Sequence, residues 1–220
     1  MKDYLFNYSA EMGLYGVYYS TGFMENNFQE ETGLLEVPEV AFILFENSIE
    51  NILYFKKLNN SPDLTIYPPL HHQNIVNQIY KRLNIKRIMV SADLKSLLLH
   101  LPQQTNLALN ISSETKTALI DIVEYGNDFI VKIKSLLNEL TNNQIINVIM
   151  DLPLSNPVTQ VNCAILEAEG FFFSGILPEY QKIGDVLRLQ YIVGDIRKKP
   201  KVALSEFGNE LLNYIYENAK

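Results

Sequence analysis

The spacing of hydrophobic residues changes from one segment to the next in the C-terminal third of the chain. Residues 145–152 (IINVIMDL) are almost continuously apolar, which is typical of a strand covered on both faces. Residues 158–168 repeat at helical spacing instead, with one apolar stripe formed by Val161, Ala164, Ile165 and Ala168. Gly170 follows, and glycine readily takes the left-handed conformation past a helix end. A strand, a helix and a glycine stop are therefore predicted in this order.

The segments on either side have equally regular patterns. After Gly170, residues 171–177 predict a buried strand, and the alternating residues 185–193 predict its half-exposed partner. Upstream, the spacing predicts a helix over 71–83, a strand over 87–91, a hairpin of strands 105–112 and 117–125 around Ser113-Glu114, a helix over 129–140 with Asn127 or Asp128 as its N-cap, and a C-terminal helix over 207–215. This order predicts a mixed α/β (α+β) sheet with helices on both faces.

The N-terminal part has a similar order of patterns. Apolar strands are predicted over 13–20, 39–45 and 52–58, and a weaker helix is predicted over 23–32, ending at Gly33. When Gly33 is aligned with Gly170, residues 10–58 match 147–193 element by element, which favours an internal duplication. The alternative is a chance match, because strand–helix–strand is common in α/β proteins. The polar cluster at 59–62 predicts a boundary between residues 1–62 and residues 63–220.

Composition narrows the class of protein. The 220 residues carry a formal net charge of −7, which disfavours general binding to nucleic acid because phosphates need a positive surface. The single cysteine, Cys163, excludes an internal disulfide and is typical of a reducing compartment. Neither a signal-peptide core nor an apolar run of membrane-spanning length is present. The expectation is a cytoplasmic protein without a membrane partner.

One helix-to-strand corner carries a family resemblance. Gly170-Phe171 match the Gly-Phe that closes the late helix of the GCN5-related N-acetyltransferases (GNAT), and Glu167 matches a frequent acid there. Thr159, Asn162 and Leu166 stand at that family's Asn, Ala and Tyr positions. The segments YPPLHHQNIVNQIYKRLNI and EGFFFSGILPEYQKIGDVLRLQYI also resemble acetyltransferase-like parts of bacterial proteins beside anti-sigma-type ATP-binding kinase domains. The resemblance covers about residues 64–197 well and 10–58 loosely. It implies a GNAT-like fold, with an N-terminal half-domain that resembles the C-terminal half of a GNAT domain.

The resemblance also implies a cofactor, acetyl-CoA or CoA, whose pyrophosphate lies at the N-terminus of the helix after the central strand. The residues implied at this site are Gly126, Asn127, Asp128, Phe129, Thr159 and Asn162. The loop departs from the family's pattern, because it has one glycine and no preceding Arg or Gln, while Glu124 and Asp128 add negative charge. A purely structural cap by Asp128 is the alternative.

Catalysis in this family needs a base for the acceptor amine and an acid near the departing thiolate. The family's acid is often the tyrosine whose position Leu166 occupies here, and leucine cannot donate a proton. Glu124, Tyr125 and Asp151 end strands near the expected cleft and are the candidate catalytic residues, with capping or surface roles as the alternative.

The remaining reactive side chains have simpler interpretations. Adjacent side chains diverge, so His71-His72 are expected to cap the helix or to face solvent rather than bind a metal. His100 is expected on a partly buried helix face, and Cys163 is expected to be a buried structural thiol. The basic run 197–201 is either a solvated linker or a phosphate contact.

Two functions remain open at this point. One is an N-acetyltransferase that moves acetyl from acetyl-CoA to an amine. The other is a degenerate GNAT-like module without turnover that binds a partner, a small-molecule amine or a protein, in bacterial signalling. The phosphate loop separates them, because its single Gly126 and its carboxylates favour the degenerate module.

Overall fold

The computed structural model describes residues 2–22, 37–45, 48–92, 100–181, 184–194, 196 and 204–219. In these ranges the α-helices are α1 (Lys2–Glu11), α2 (Gln73–Arg82), α3 (Phe129–Asn142), α4 (Thr159–Ala168) and α5 (Glu206–Asn218). The strands are β1 (Gly16–Gly22), β2 (Glu39–Phe45), β3 (Ser48–Lys57), β4 (Leu64–Ile66), β5 (Arg87–Met89), β6 (Asn106–Ser112), β7 (Thr117–Glu124), β8 (Asn147–Pro153), β9 (Phe172–Gln181) and β10 (Gly184–Ile192).

Eight of these strands form one sheet, in the order β1-β3-β2-β9-β10-β8-β7-β6. Every neighbouring pair is antiparallel except β7 and β8, which are parallel and joined by α3. Strands β4 and β5 form a separate parallel pair. The predicted mixed α/β sheet is confirmed. None of the helices in the described ranges is both long and apolar enough to cross a membrane.

The helix-to-strand corner has the predicted conformation. All seven residues of β8 are buried, as its continuous apolar sequence predicts. Helix α4 ends at Ala168, and Gly170 takes a φ of 96°, so the predicted left-handed stop is confirmed. The sequence patterns missed α1 and the three-residue strand β4. Residues 93–99, next to His100, lie outside the described residues. His100 itself is exposed, so its predicted partly buried position is wrong.

The two segments of the predicted duplication have the same strand arrangement. In each, the third strand lies between the first and the second and is antiparallel to both, as β1-β3-β2 and as β8-β10-β9. The predicted helix over 23–32 lies outside the described residues, so the duplication stays a prediction. The predicted boundary at 59–62 falls in the loop between β3 and β4, and the sheet continues across it. The division into two domains also stays a prediction.

The two halves meet where β2 lies beside β9. Only one residue pair is in register there, Ala41 with Gly175. A Cβ on Gly175 would overlap backbone and side-chain atoms of Ala41 and the carbonyl oxygen of Val40. Further along, the buried Gln190 side chain replaces the missing ladder, since its Oε1 accepts from Leu44 N–H at 3.0 Å and its Nε2 donates to Leu44 O at 2.6 Å. Beside Gly175, the Ser174 hydroxyl donates to Phe42 O. The junction therefore uses the close approach at Gly175, one amide and one hydroxyl in place of paired backbone.

The C-terminal helix is fixed to the same junction. Ser205 is the N-cap of α5 and accepts a hydrogen bond from Gly208 N–H at 2.9 Å. The buried Glu39 of β2 accepts from the Ser205 N–H at 3.0 Å and from its hydroxyl at 2.6 Å. A carboxylate at a helix N-terminus is also favoured by the helix dipole. Glu39 therefore connects α5 to the N-terminal half of the sheet.

A buried ionic network holds the small β4–β5 pair against the β9–β10 hairpin. Arg87 of β5 donates to Asp185 at 2.6 Å and to Glu179 at 2.6 Å. Tyr80 of α2 donates to the same Asp185 carboxylate at 2.6 Å. Burial of such charges is tolerated because each has a partner with good geometry.

Replacing Gly175 with alanine should destabilise the protein strongly. The added Cβ meets backbone atoms that cannot move aside without separating β2 from β9, and φ is positive at 149°. We expect a loss of about 3 kcal/mol or more in the free energy of unfolding by urea denaturation. Gly170→Ala is the matched control, since its Cβ meets only the Tyr191 ring, and about 1 kcal/mol is expected. Equal losses would contradict the close approach at Gly175.

Candidate functional site

The parallel strands β7 and β8 separate at their C-terminal ends. Their register runs from Thr117–Asn147 to Asp121–Asp151 and stops there. Beyond this point β7 continues to Glu124 beside β6 only, and β8 continues to Pro153 beside β10 only. The gap lies where the GNAT resemblance places the cofactor.

The segment before β6 covers the loop predicted to hold the pyrophosphate. Gly126 N–H donates to the Thr105 hydroxyl at 3.0 Å, and Asn127 N–H donates to Pro102 O at 2.8 Å. Phe129 N–H donates to Gly126 O at 3.1 Å. Three backbone donors that an anion would need are therefore already satisfied within the chain.

Thr105 is the centre of this covering segment. The residue is buried, its N–H donates to Asp128 Oδ1 at 2.6 Å, and its carbonyl accepts from Lys132 Nζ at 2.8 Å. The bonds from Thr105 hold the pKa of Asp128 below its ordinary value. Asp128 occupies the N-cap position of α3 but makes no side-chain cap bond, so the predicted capping by its side chain is wrong. The carboxylate holds Thr105 instead of the helix N–H groups.

Gly126 fits under the same segment because it has no side chain. A Cβ at this position would overlap the backbone of Gln104 and Thr105. The glycine therefore admits the chain's own backbone at the position where the resemblance implies a phosphate. Asn127 donates its side-chain amide to Leu101 O at 3.2 Å, which adds to the same contact.

Tyr125 fills part of the gap between the separated strands. Its ring is buried, and its hydroxyl lies 2.9 Å from the Thr159 Oγ1 at the start of α4. Thr159 donates to Pro153 O at 2.6 Å, and burial raises the pKa of Tyr125 above its ordinary range. Asn162 is buried one turn further along α4. Two of these three predicted site residues, Tyr125 and Thr159, are therefore bonded to each other across the gap.

The two candidate carboxylates lie in different surroundings. Glu124 is exposed at the end of β7. Asp151 lies within β8 and is buried, and Arg188 of the neighbouring β10 donates to both of its oxygens, at 2.7 and 2.6 Å. Both oxygens of Asp151 are therefore already engaged by the guanidinium group of Arg188.

The expectation that His71 and His72 diverge is wrong. Their ring centroids are 4.1 Å apart, and both rings contact Glu167 of α4, with Nε2 atoms 2.6 and 2.5 Å from its two oxygens. His72 is also fully buried rather than exposed. Cys163 lies one turn before Glu167 and is buried, so the predicted buried thiol is confirmed.

Sequence patterns did not single out Thr105 or Tyr214. The pattern predicts Thr105 only as the first residue of a strand and Tyr214 only as one position of the C-terminal helix. The spacing of Cys163 and Glu167, four residues apart on one helix, was the signal available for a shared face. Nothing in the local pattern brings His71 and His72 to that face, because the approach is made by the tertiary fold.

Comparison with known proteins gives little beyond this geometry. No family model and no curated protein matches the chain. Among solved structures, the chain has a weak likeness to the ribosomal-protein-S18-alanine N-acetyltransferase from Escherichia coli, with a TM-score of 0.32 and 15% identity. The likeness covers 40% of this chain and 61% of that one. A likeness this distant carries no argument about activity.

Removing the Asp151 carboxylate should lower the stability of the fold, because the carboxylate pairs with Arg188. Asp151→Ala leaves the buried Arg188 without a counter-charge, and we expect a loss of about 3–5 kcal/mol in the free energy of unfolding. Adding Arg188→Met should restore most of this loss. The control is Asp63→Ala in the exposed Lys86–Asp63 pair, which should leave stability nearly unchanged in urea denaturation. An Asp151→Ala variant as stable as the wild type would contradict a structural role.

Proposed function

We propose that the chain is a GNAT-like binding module that does not hold coenzyme A in the manner of that family. The observation that supports this is the segment around Thr105, which satisfies the backbone donors of Gly126 and Asn127. A pyrophosphate could reach those donors only after the segment moves away. The acidic Glu124 and Asp128 beside the loop further disfavour an anion.

The energy needed to open the loop would lower the affinity for coenzyme A substantially. Displacing the segment breaks at least the bonds from Gly126 N–H to Thr105, from Asn127 N–H to Pro102 and from Lys132 to Thr105. At about 1 kcal/mol for each bond, the affinity falls by roughly a hundredfold relative to an open loop. The helix dipole stabilises a bound anion by only about 0.3–1 kcal/mol at an exposed site. The closed loop is therefore favoured over the loop with a bound pyrophosphate.

The outer strand β6 offers a surface for a protein partner. In the described part of the chain, no strand pairs with its outer edge, and its sequence NLALNIS contains no charge or proline. Leu109 and Ile111 on this strand are exposed. Exposed sheet edges are usually protected by charges, proline or bulges. In β6 the register shifts between Asn106 and Leu107, at the start of the strand, so the edge from Leu107 to Ser112 can accept an extended segment of another chain. This edge supports protein binding in preference to a small amine.

Acetyl transfer is the second candidate function, and the separation of β7 from β8 favours it. The separation begins at Asp121 and Asp151, where the resemblance implies a cofactor between the strands. For this function Tyr125 would have to leave its bond with Thr159 to admit a thioester.

Calorimetric titration with acetyl-CoA and with CoA separates the two candidates. Wild-type protein at about 100 μM should give no saturable heat, because the donors of the loop are occupied. The double variant Glu124→Gln with Asp128→Gly should gain measurable affinity, since it removes two charges and frees Thr105. A charge-matched control, Glu114→Gln with Glu139→Gln, should bind no better than wild type.

The opposite result would favour the acetyltransferase. Wild-type binding with a dissociation constant in the low micromolar range, together with acetyl transfer to an amine, would overturn the proposed binding module.

A further inference from the structure

Four potential metal ligands lie together on the side of α4. The His–Glu–Cys cluster consists of His71, His72, Cys163 and Glu167, and one donor atom from each lies within 4.8 Å of all the others. Cys163 and Glu167 share a helix face because they are four residues apart. The histidines belong to the short 3-10 helix Leu70–His72 that leads into α2.

The approach of the two histidines to α4 is built into the fold. Gln160, one turn before Cys163, donates to Pro68 O and to Val90 O, each at 3.0 Å. Its Oε1 also accepts from Ala92 N–H at 3.0 Å. Gln160 thus fixes the backbone before and after α2 to α4. These bonds hold the two histidines beside Cys163 and Glu167.

The hydrogen bonds between the histidines, Glu167 and Tyr214 can all be made by neutral histidines. The Nε2–H groups of His71 and His72 each donate to one oxygen of Glu167. The Tyr214 hydroxyl lies 2.6 Å from His72 Nδ1 and can donate to it. Burial lowers the pKa of His72 and raises that of Cys163, while the two histidines hold the pKa of Glu167 below its ordinary value despite burial.

The second partner of Tyr214 lets His72 change tautomer. The hydroxyl also lies 3.3 Å from the carbonyl oxygen of His71. When it donates there, it can accept from His72 Nδ1–H, which leaves Nε2 as a free lone pair aimed into the cluster. A ligating histidine whose other ring nitrogen donates to a fixed oxygen is the usual arrangement around protein-bound metals.

The donor set and the spacing suit a small borderline-soft cation. Two imidazoles, a carboxylate and a thiolate are all ligands of Zn²⁺, with donors about 3.5 Å apart in a tetrahedral site. The present spacings run from 2.5 Å to 4.8 Å, so side-chain ends must move by only about 1 Å to reach such a site. His71 is 45% exposed and Glu167 is 21% exposed, which leaves an entry path beside the fully buried His72.

We propose that the His–Glu–Cys cluster binds one Zn²⁺ ion in a four-ligand structural site. On binding, Cys163 releases its thiol proton to solvent, and each histidine coordinates through Nε2 with its proton on Nδ1. Because four protein ligands fill the tetrahedral positions, the ion joins the 3-10 helix to α4 and holds no water for catalysis. Through Tyr214, the site also orders the contact with α5. This site is independent of the proposed binding module.

Metal titration of the 220-residue chain tests the site. Metals are first removed with a chelator, and Zn²⁺ is then added back. Native mass spectrometry should show one bound Zn²⁺ per chain, and competition with a chromophoric chelator gives the affinity. Substitution with Co²⁺ should give the visible bands of a tetrahedral ion and a thiolate-to-cobalt charge-transfer band. Cys163→Ser should abolish the charge-transfer band.

Ligand and control variants separate this site from adventitious binding. His71→Ala and Glu167→Gln should each weaken Zn²⁺ binding by about a hundredfold or more. The matched control is Glu169→Gln on the same helix, whose carboxylate pairs with Lys134 and should not affect binding. Circular dichroism of each variant without metal establishes that it is folded.

Two results would overturn the proposal. One is the absence of stoichiometric Zn²⁺ binding by the folded wild-type chain, which would leave the cluster as a hydrogen-bonded contact. The other is binding that Cys163→Ser and His71→Ala leave unchanged, which would place the ion elsewhere.

Discussion

The eight-stranded sheet depends on a junction with almost no backbone pairing. Between β2 and β9 only Ala41 and Gly175 are in register, and the buried Gln190 amide supplies the donor and acceptor that Leu44 would otherwise lack. An unsatisfied buried backbone group costs about 1–3 kcal/mol, so loss of this side chain would weaken the junction measurably. The amide also donates to Asn147 of β8 at 2.7 Å, which extends the link to a third strand.

The fold was predictable where its determinants are local. The helix α4 and the strands β8, β9 and β10 follow from apolar spacing within a few residues, and the stop at Gly170 follows from a conformational preference. Helix α1 was missed because its sequence has no clear apolar stripe, and β4 because three residues carry no period. The junction at Gly175 could not be predicted, since a strand glycine gives no sign of which backbone approaches it.

The candidate sites were less predictable, because their defining contacts are remote in sequence. The loop at Gly126 was located correctly after β7, but the segment around Thr105 that covers it reads simply as the start of a strand. Likewise, His72 and Glu167 are 95 positions apart, and only the fold shows that they meet. In both places the local pattern predicts a cap or a surface group, and a contact with a residue remote in sequence gives the side chain a different role.

The junction has a consequence for the order in which the protein folds. Leu44 and Gln190 are separated by 146 positions, so their contact closes a very long loop and forms late. At ordinary rates of synthesis, roughly 7–30 s pass on the ribosome between these two residues. During this interval the apolar β2 has a free edge, which can pair with another nascent chain. Fast translation or a chaperone that shields β2 would therefore raise the yield of native protein.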